Sequence, residues 1–581
     1  MYKHIYIFII LFFGAALWTT AQEKNDLGTE TVTVTKAYTP TISDAFKINS
    51  LPNLNDSIVL QKKEINYSIF SVPVASTFTP AKGKATGVKK AAPEKLFNSY
   101  ASLGLGNFNN ALADFYTSRA LSREETLDIG LNHNSSSGDI DGTALDNVYY
   151  NTKLNATYAK KSRDLHWGAH LGFQHRLYNW YGIPDGAFSD DIINGIDERQ
   201  NYYNVEAGGH VVLEDSFFKN AEIVGRRFWD AADSGENRAV LKTTFEFPIN
   251  QEMITLKAKL DYVGGDFTYG NLNFDNASGI NYSHIQFGIN PNFTILQDDL
   301  TLNLGVGLVY GLDAENSDGD FFIYPEVTAS YRLVDETIIG YGGVQGELRQ
   351  NSYYDFVGKN PFVSPTLEIQ PTDAQYNAYV GVKGKLGANV SYNLKGSYTA
   401  ENRRPLFKLN PQNLFRNDAK GYFFGNSFEV FYDDVKTLGI FGELTVAINR
   451  NFSLGMNAEV YDYDTETDNP AWNLPNLTAS LFMDYQIDAN WFVGANLFFV
   501  GERDDLASVV IQNVAPSDFP ATLVTLDSYF DANAHAGYRL TEQWSVFVKA
   551  NNIGNTNYER FANYPVQGFQ ILGGVTHKFD F

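Results

Sequence analysis

The chain has 581 residues, of which 44% are hydrophobic and 15% aromatic, with no cysteine and a formal net charge of -23. The missing cysteine excludes disulfide scaffolds, thiolate metal sites and cysteine nucleophiles, and a pI near 4.8 argues against nucleic acid as a partner. A mean hydropathy of -0.26 excludes a bundle of membrane helices, and the aromatic content is too high for a disordered chain.

The first element is a signal peptide. Lys3 and His4 precede the apolar run Ile5–Trp18, which is too short for a comfortable membrane span and right for a signal core. Thr19, Thr20 and Ala21 supply small residues, so Sec-type cleavage is expected between Ala21 and Gln22, giving a signal peptide over 1–21. Residues 22–96 then form a short segment expected in the periplasm or the lumen. Residues 1–96 hold 11 Lys and 7 Asp+Glu, leaving 33 Lys+Arg against 60 Asp+Glu for the rest. The cluster Lys82, Lys84, Lys89, Lys90 and Lys95 reads equally as a basic strap drawn toward an acidic barrel and as a solvated linker. The more apolar Ile58–Phe78 reads as docked in the lumen.

From about Leu96 onward the chain alternates with period two. In Ile254–Tyr262 every even position is apolar except for the small Ala258, and every odd position is polar; Thr301–Leu308 repeats the pattern. The segments run to roughly 9–15 residues, about twice the usual strand of a soluble sandwich and right for a tilted membrane strand. Two kinds of connection take turns between them. Ten are short, as at Gln297–Asp299 and Asn449–Asn451. Eleven are polar and mostly longer, as at Asn134–Asp146, Arg349–Asp373 and Asn402–Asn426. Outer-membrane barrels sort their connections in this way, with short turns inside and long loops outside. The predicted fold over 97–581 is therefore all-β, a transmembrane up-and-down antiparallel barrel of about 22 strands. Two places are ambiguous: Ala221–Phe228 is a weak strand, and Phe428–Ile448 must be one long strand rather than a hairpin.

The last strand puts Phe569, Ile571, Val575, Phe579 and Phe581 on one face, with Leu572 and His577 as exceptions to the alternation. Phe579 and the terminal Phe581 are the expected assembly signal. The stretch before this strand resembles the end of TonB-dependent receptors. Asn551, Ile553, Asn555 and Tyr558 fill an N-x-[LIF]-x-[ND]-x-x-Y pattern, followed by Tyr564-Pro565 and Gly568-Phe569. The resemblance implies a 22-stranded barrel in the cell outer membrane. It also makes Glu30, Thr31, Val32, Thr33, Val34 and Thr35 similar to the family's energy-coupling box, a composition that β-propensity alone also produces. Residues 22–96 are short for that family's plug domain and show none of its Gly/Arg-rich motifs, which implies a reduced plug.

No catalytic, cofactor or metal site is visible. His166 and His170 share a strand face but stand about 13 Å apart along it, too far to hold one metal between them. The acidic turn Asp313–Asp320 reads as solvated rather than calcium-binding. Trp180 and Tyr181 are candidate ligand-stacking residues, with an interface girdle as the preferred alternative. Arg403 and Arg404 are the candidate basic loop for an anionic ligand, or partners of neighbouring acidic loops.

The expected function is a TonB-dependent-type receptor or transporter that binds ligand through long outer loops. The alternative is a non-transporting scaffold barrel in a surface complex. A hydrolase has no nucleophile-base constellation to support it. Expected partners are outer-membrane lipid, the barrel-assembly machinery, and TonB or a surface lipoprotein; nucleic acid is not among them.

Overall fold

The computed structural model describes residues 96–581 apart from 185, 250–251, 271–277, 413–419 and 509–520. The expectations placed on Ala21, Gln22, Glu30–Thr35, Ile58–Phe78 and Lys82–Lys95 lie outside the described residues.

The barrel begins with β1 (Ser99–Gly106), β2 (Ala111–Ala120), β3 (Glu125–Ser136), β4 (Tyr149–Lys161) and β5 (Leu165–Asn179). After the short helix α1 (Asp190–Ile193) come β6 (Arg199–Leu213), β7 (Phe218–Asp230), β8 (Gly235–Ile249), β9 (Glu252–Phe267) and β10 (Ile280–Gln297). Next are β11 (Leu300–Asp313), β12 (Asp318–Val334), β13 (Ile338–Arg349), helix α2 (Tyr353–Lys359), β14 (Thr372–Lys385) and β15 (Val390–Leu409). Then follow β16 (Phe428–Asn449), β17 (Phe452–Thr465), β18 (Leu477–Gln486) and β19 (Trp491–Val500). A separate hairpin, β20 (Arg503–Ser508) with β21 (Ala521–Leu526), precedes β22 (Tyr529–Arg539) and β23 (Trp544–Asn551). The small pair β24 (Glu559–Phe561) and β25 (Tyr564–Pro565) leads into β26 (Gln570–Phe579).

Leaving out the two small hairpins, 22 strands form one antiparallel sheet. It closes where β1 pairs with β26 over eight residue pairs, from Ser99↔Phe579 to Gly106↔Leu572. Closure is what lipid demands, because an open edge would leave backbone groups with nothing to bond. Both ambiguous segments resolve as expected: β7 spans the weak stretch, and β16 is one strand of 22 residues.

Alternation sets the two faces. Leu260 is 42% exposed on the outer wall, whereas its neighbour Asp261, pointing inward, is fully buried. On β12 the outward residues Phe321, Ile323, Tyr331 and Leu333 are all exposed, whereas inward Tyr324 is buried. The 12 steps from Phe321 to Leu333 cover about 40 Å of strand. At a tilt of about 40° that is about 30 Å along the membrane normal, the thickness of a hydrocarbon core.

The two exceptions in the last strand have local reasons. Leu572 points inward over Gly104 and Gly106; a Cβ on Gly104 would lie 2.6 Å from Leu572 Cδ2, so the seam needs glycine there. His577 points outward and stacks on Trp544 with ring centroids 4.1 Å apart, joining an aromatic belt at the turn end. Phe579 packs edge-on against Phe581, and the Arg119 guanidinium lies 5.7 Å from the Phe581 ring.

Leu260 lies near the middle of β9. Leu260→Arg should therefore cost about 2–4 kcal/mol in refolding titrations into lipid vesicles, whereas Lys257→Arg on the inner face should cost little. Equal costs would show that the two faces have been exchanged.

Candidate functional site at the outer mouth

The long connections do not project freely. Their aromatic residues converge into a buried core that includes Trp180, Tyr202, Phe356, Tyr422, Phe561 and Tyr564. Phe362 stacks on Tyr564 at 3.8 Å, Trp180 meets Tyr422 at 5.0 Å, and Phe428 meets Phe561 at 5.2 Å. These contacts tie together segments that lie between β5 and β6, β13 and β14, β15 and β16, and β23 and β26. Aromatic pairs of this kind add about 0.5–1.5 kcal/mol each beyond burial, which lets connections behave as a folded layer. The layer forms a lid.

Its irregular backbone is satisfied by side chains, as buried peptide groups require. Asn426 Nδ2 donates to Trp180 O at 2.6 Å and to Gly421 O at 2.8 Å. Tyr202 Oη donates to Pro361 O and Tyr181 Oη to Pro565 O, each at 2.9 Å. Asp505 on β20 is fully buried and accepts from Leu409 N (3.0 Å), Leu506 N (2.8 Å) and Asn473 Nδ2 (2.7 Å), knotting three outer segments. Burial pushes its carboxyl up to about 6, against the pull of those donors.

Helix α2 fastens the lid to the inner wall. Ser352 caps it by accepting from Asp355 N at 3.2 Å. The Glu236 carboxylate on β8 accepts from Tyr353 N at 2.6 Å and from Tyr282 Oη at 2.9 Å. A carboxylate there meets the positive end of the helix. Tyr353 Oη donates to Asp230 Oδ2 at 2.7 Å; burial and that neighbouring carboxylate hold the phenol well above its usual range, so it remains a donor. Arg238 grips Asp261 through Nε (3.0 Å) and Nη2 (2.9 Å), and reaches Asp355 on α2 through Nη1 at 3.0 Å. Arg226 lies 3.9 Å from the Tyr354 ring centroid, a cation-π contact. Charges taken out of water need such partners, because an orphaned one costs several kcal/mol.

Two cavities flank this anchor. One of about 490 Å³ lies between the outer ends of β10–β12 and the returning stretch 368–371, with Asp313, Asp318 and His284 among its walls. His284 is buried, and its Nε2 faces Ile369 O at 2.7 Å. The other, of about 650 Å³, is walled by residues of β7–β15, including the inward Lys242, Lys257 and Lys259.

The candidates from sequence fall in different places. Trp180 is only 4% exposed and belongs to the lid core rather than to an interface girdle. Tyr181 packs edge-on against Tyr564 at 4.9 Å. Arg403 and Arg404 are not in a loop, since β15 runs on to Leu409. The pairing of β15 with β16 slips between Glu401 and Arg404, and Arg403 takes a positive φ of 54°, the signature of a bulge. Arg403 donates through Nε to Pro371 O at 3.2 Å and borders the 490 Å³ cavity, while Arg404 is a strut that pairs with Glu401 at 3.0 Å. His170 and His166 face separate carboxylates, Glu206 at 3.5 Å and Glu214 at 3.7 Å. The anchors Asp230, Glu236, Arg238 and Asp261 were missed. Part of their signal was available: alternation places Arg238 and Asp261 on the inner face, where charge needs a partner, whereas Asp230 and Glu236 fall in the polar stretch 230–237, which reads in sequence as a connection.

No family model and no curated protein sequence matches the chain. Solved structures do. Pseudomonas aeruginosa FpvA, crystallised with heterologous pyoverdines, superposes with a TM-score of 0.61 at 13% identity, over 83% of this chain and 72% of its own. The siderophore receptor PirA from Acinetobacter baumannii gives 0.61 at 13%, over 83% and 80%. The ferric-catecholate import receptor Fiu from E. coli K12 gives 0.57 at 11%, over 83% and 82%. The fold is that of the TonB-dependent siderophore-receptor barrels. At these identities the likeness concerns the receptor-barrel architecture alone.

Two predictions follow from the lid. Glu236→Gln removes the charge under α2 while keeping its size. Charge-assisted hydrogen bonds contribute about 1.5–3 kcal/mol, so hydrogen exchange at the Phe356 and Asn360 amides should accelerate by about 10- to 100-fold, with the barrel still heat-modifiable on gels. Unchanged protection would mean that the aromatic core alone holds the helix. For Asp505 the folded pKa lies above its unfolded value. Its contribution is full at acid pH and is lost as pH rises through about 6. Protection of the Leu409 amide should be about tenfold higher at pH 5 than at pH 7.5, and Asp505→Asn should flatten that difference.

Proposed function

We propose that this chain is an outer-membrane receptor of the TonB-dependent type, taking up a ligand through a mouth closed by a folded lid of its own loops. The observation that carries this reading is the lid itself. It is a layer with an aromatic core that continues onto rings of the inner wall, Tyr353 meeting Phe228 at 5.1 Å and Phe267 at 4.9 Å, and it is tied there at α2 by hydrogen bonds and the Arg238–Asp355 ion pair. A closure that buries aromatic rings against the wall opens only when work is supplied, which suits an energised receptor. The shared architecture with receptors of ferric siderophores supports the same view. Within this reading, residues 1–21 are removed, 22–96 serve the periplasmic or luminal side, and Glu30–Thr35 couple to TonB. Phe579 and Phe581 are then read by the assembly machinery.

The lid also favours a second reading. A mouth covered by buried aromatics presents a fixed outer surface, as a scaffold barrel holding a surface lipoprotein would need. Energised uptake separates the two. A coupling strand pairs with a partner's sheet edge through its backbone N–H groups, so Val32→Pro should abolish it without touching the barrel. The measurement is uptake of radiolabelled iron from ferric catecholate and ferric hydroxamate complexes, in cells carrying the wild type, Val32→Pro or a deletion. Uptake that is lost alike in Val32→Pro and the deletion supports the receptor. Uptake of both complexes that is equal in all three strains favours the scaffold.

A further inference from the structure

The inner wall carries a charge arrangement that the lid does not use. Lys242 on β8 and Lys259 on β9 are direct cross-strand partners. Like charges placed opposite one another destabilise a sheet. Lys257 stands two residues from Lys259 on the same face, opposite Thr244 on one side and Asn290 on the other. Strands lie about 4.8 Å apart and alternate residues about 7 Å apart, so the three flexible side chains can bring their ammonium groups to one point. Opposite Lys259 on β10 is Gly288, which leaves that point unfilled by a side chain.

Compensation for this charge is incomplete. Lys259 Nζ reaches Asp261 Oδ2 at 2.9 Å, but Asp261 is already held by two nitrogens of Arg238. Lys242 and Lys257 make no ion pair among the described residues. Of the other carboxylates around the cavity, Glu326 accepts from Gln345 at 2.9 Å and Glu347 from Arg349 at 3.2 Å. Glu222 stands across from Lys242 without forming an ion pair with it. Asn290 faces the same 650 Å³ space, and its Oδ1 is buried with no hydrogen-bond donor among the described residues. A buried acceptor left without a donor costs about 1–3 kcal/mol, so this atom calls for a hydroxyl or N–H from elsewhere.

We infer that Lys242, Lys257, Lys259 and Asn290 form a luminal binding site for a hydroxylated polycarboxylate of the sugar-acid class. The carboxylates sit among the ammonium groups, and a hydroxyl donates to Asn290 Oδ1. The volume suits a solute of that size. This goes beyond the uptake reading, because binding to the purified barrel holds whether or not transport is energised.

Galactarate and adipate separate the elements of this site. Both are six-carbon diacids, and only galactarate carries hydroxyls. Calorimetry on the full-length barrel in neutral detergent at low ionic strength should show saturable galactarate binding that weakens with added salt. Lys242→Gln combined with Lys257→Gln should weaken it by about tenfold or more. That variant keeps Lys259, Asp261 and Arg238, so unchanged exchange protection in α2 certifies its fold. Adipate should bind several-fold more weakly than galactarate, and Asn290→Leu should remove the difference. Galactarate binding that is absent at millimolar concentration, or equal in the double variant, overturns the site. So does tighter binding of putrescine than of galactarate, which would assign the cavity to its carboxylates.

Discussion

Everything in this molecule follows from the pairing of β1 with β26. Hydrocarbon offers no hydrogen bonds, so a sheet in lipid must return to its own first strand. Once it does, each strand has one face in lipid and one in the lumen, and the period-two pattern becomes obligatory. Closure also fixes the size. Twenty-two strands at about 4.8 Å spacing and about 40° tilt enclose a ring roughly 45 Å across. Side chains alone cannot fill such a ring, so something must cover or occupy it. At the outer mouth the covering is the chain's own connections.

The lid solves two opposed problems. Irregular backbone buried at a mouth needs partners for its peptide groups, and Asn426, Tyr202 and Asp505 supply them. A layer of loops also needs apolar burial to stay folded, and the Phe362–Tyr564 stack and its neighbours supply that. The attachment to the wall uses both kinds of contact. Tyr353 packs on Phe228 and Phe267 of the wall, and beside it Glu236, Arg238 and Asp261 are charged groups inside a protein, worth having only while each is matched. The apolar contacts make lid and wall one cluster, while the charged groups fix where α2 sits on it.

Barrel and lid were not equally legible in the sequence. Strand faces were legible because lipid and water impose opposite chemistry on successive residues. Loop sorting gave the strand number independently, and the even count depended on reading Ala221–Phe228 as a strand and Phe428–Ile448 as one strand rather than two. The lid was opaque for the converse reason. A connection has no periodicity, so an aromatic such as Trp180 in sequence fits a girdle, a ligand platform or a buried core equally well. Only three-dimensional neighbours such as Tyr422, more than 200 residues away, decide among them. Arg403 and Arg404 were misplaced for a smaller reason. A bulge interrupts alternation, and a strand that continues past one looks in sequence like a loop. Residues 230–237 show the same effect in reverse, since the turn itself occupies only 231–234 and Glu236 already belongs to β8.

Asp261 joins the two parts of the inner wall. It is held by Arg238, which also grips α2 through Asp355, and by Lys259 of the lysine group. One carboxylate has only two oxygens, and both face Arg238. Lys259 is therefore the member common to both groups: its ammonium neutralises Asp261 beside Arg238, and it completes the lysine set toward the cavity. In the proposed site an oxyanion competes with Asp261 for that ammonium. The anchor can yield it because both carboxylate oxygens of Asp261 keep a guanidinium nitrogen of Arg238. The bidentate pair thus lets one lysine serve the lumen without leaving a buried carboxylate unmatched.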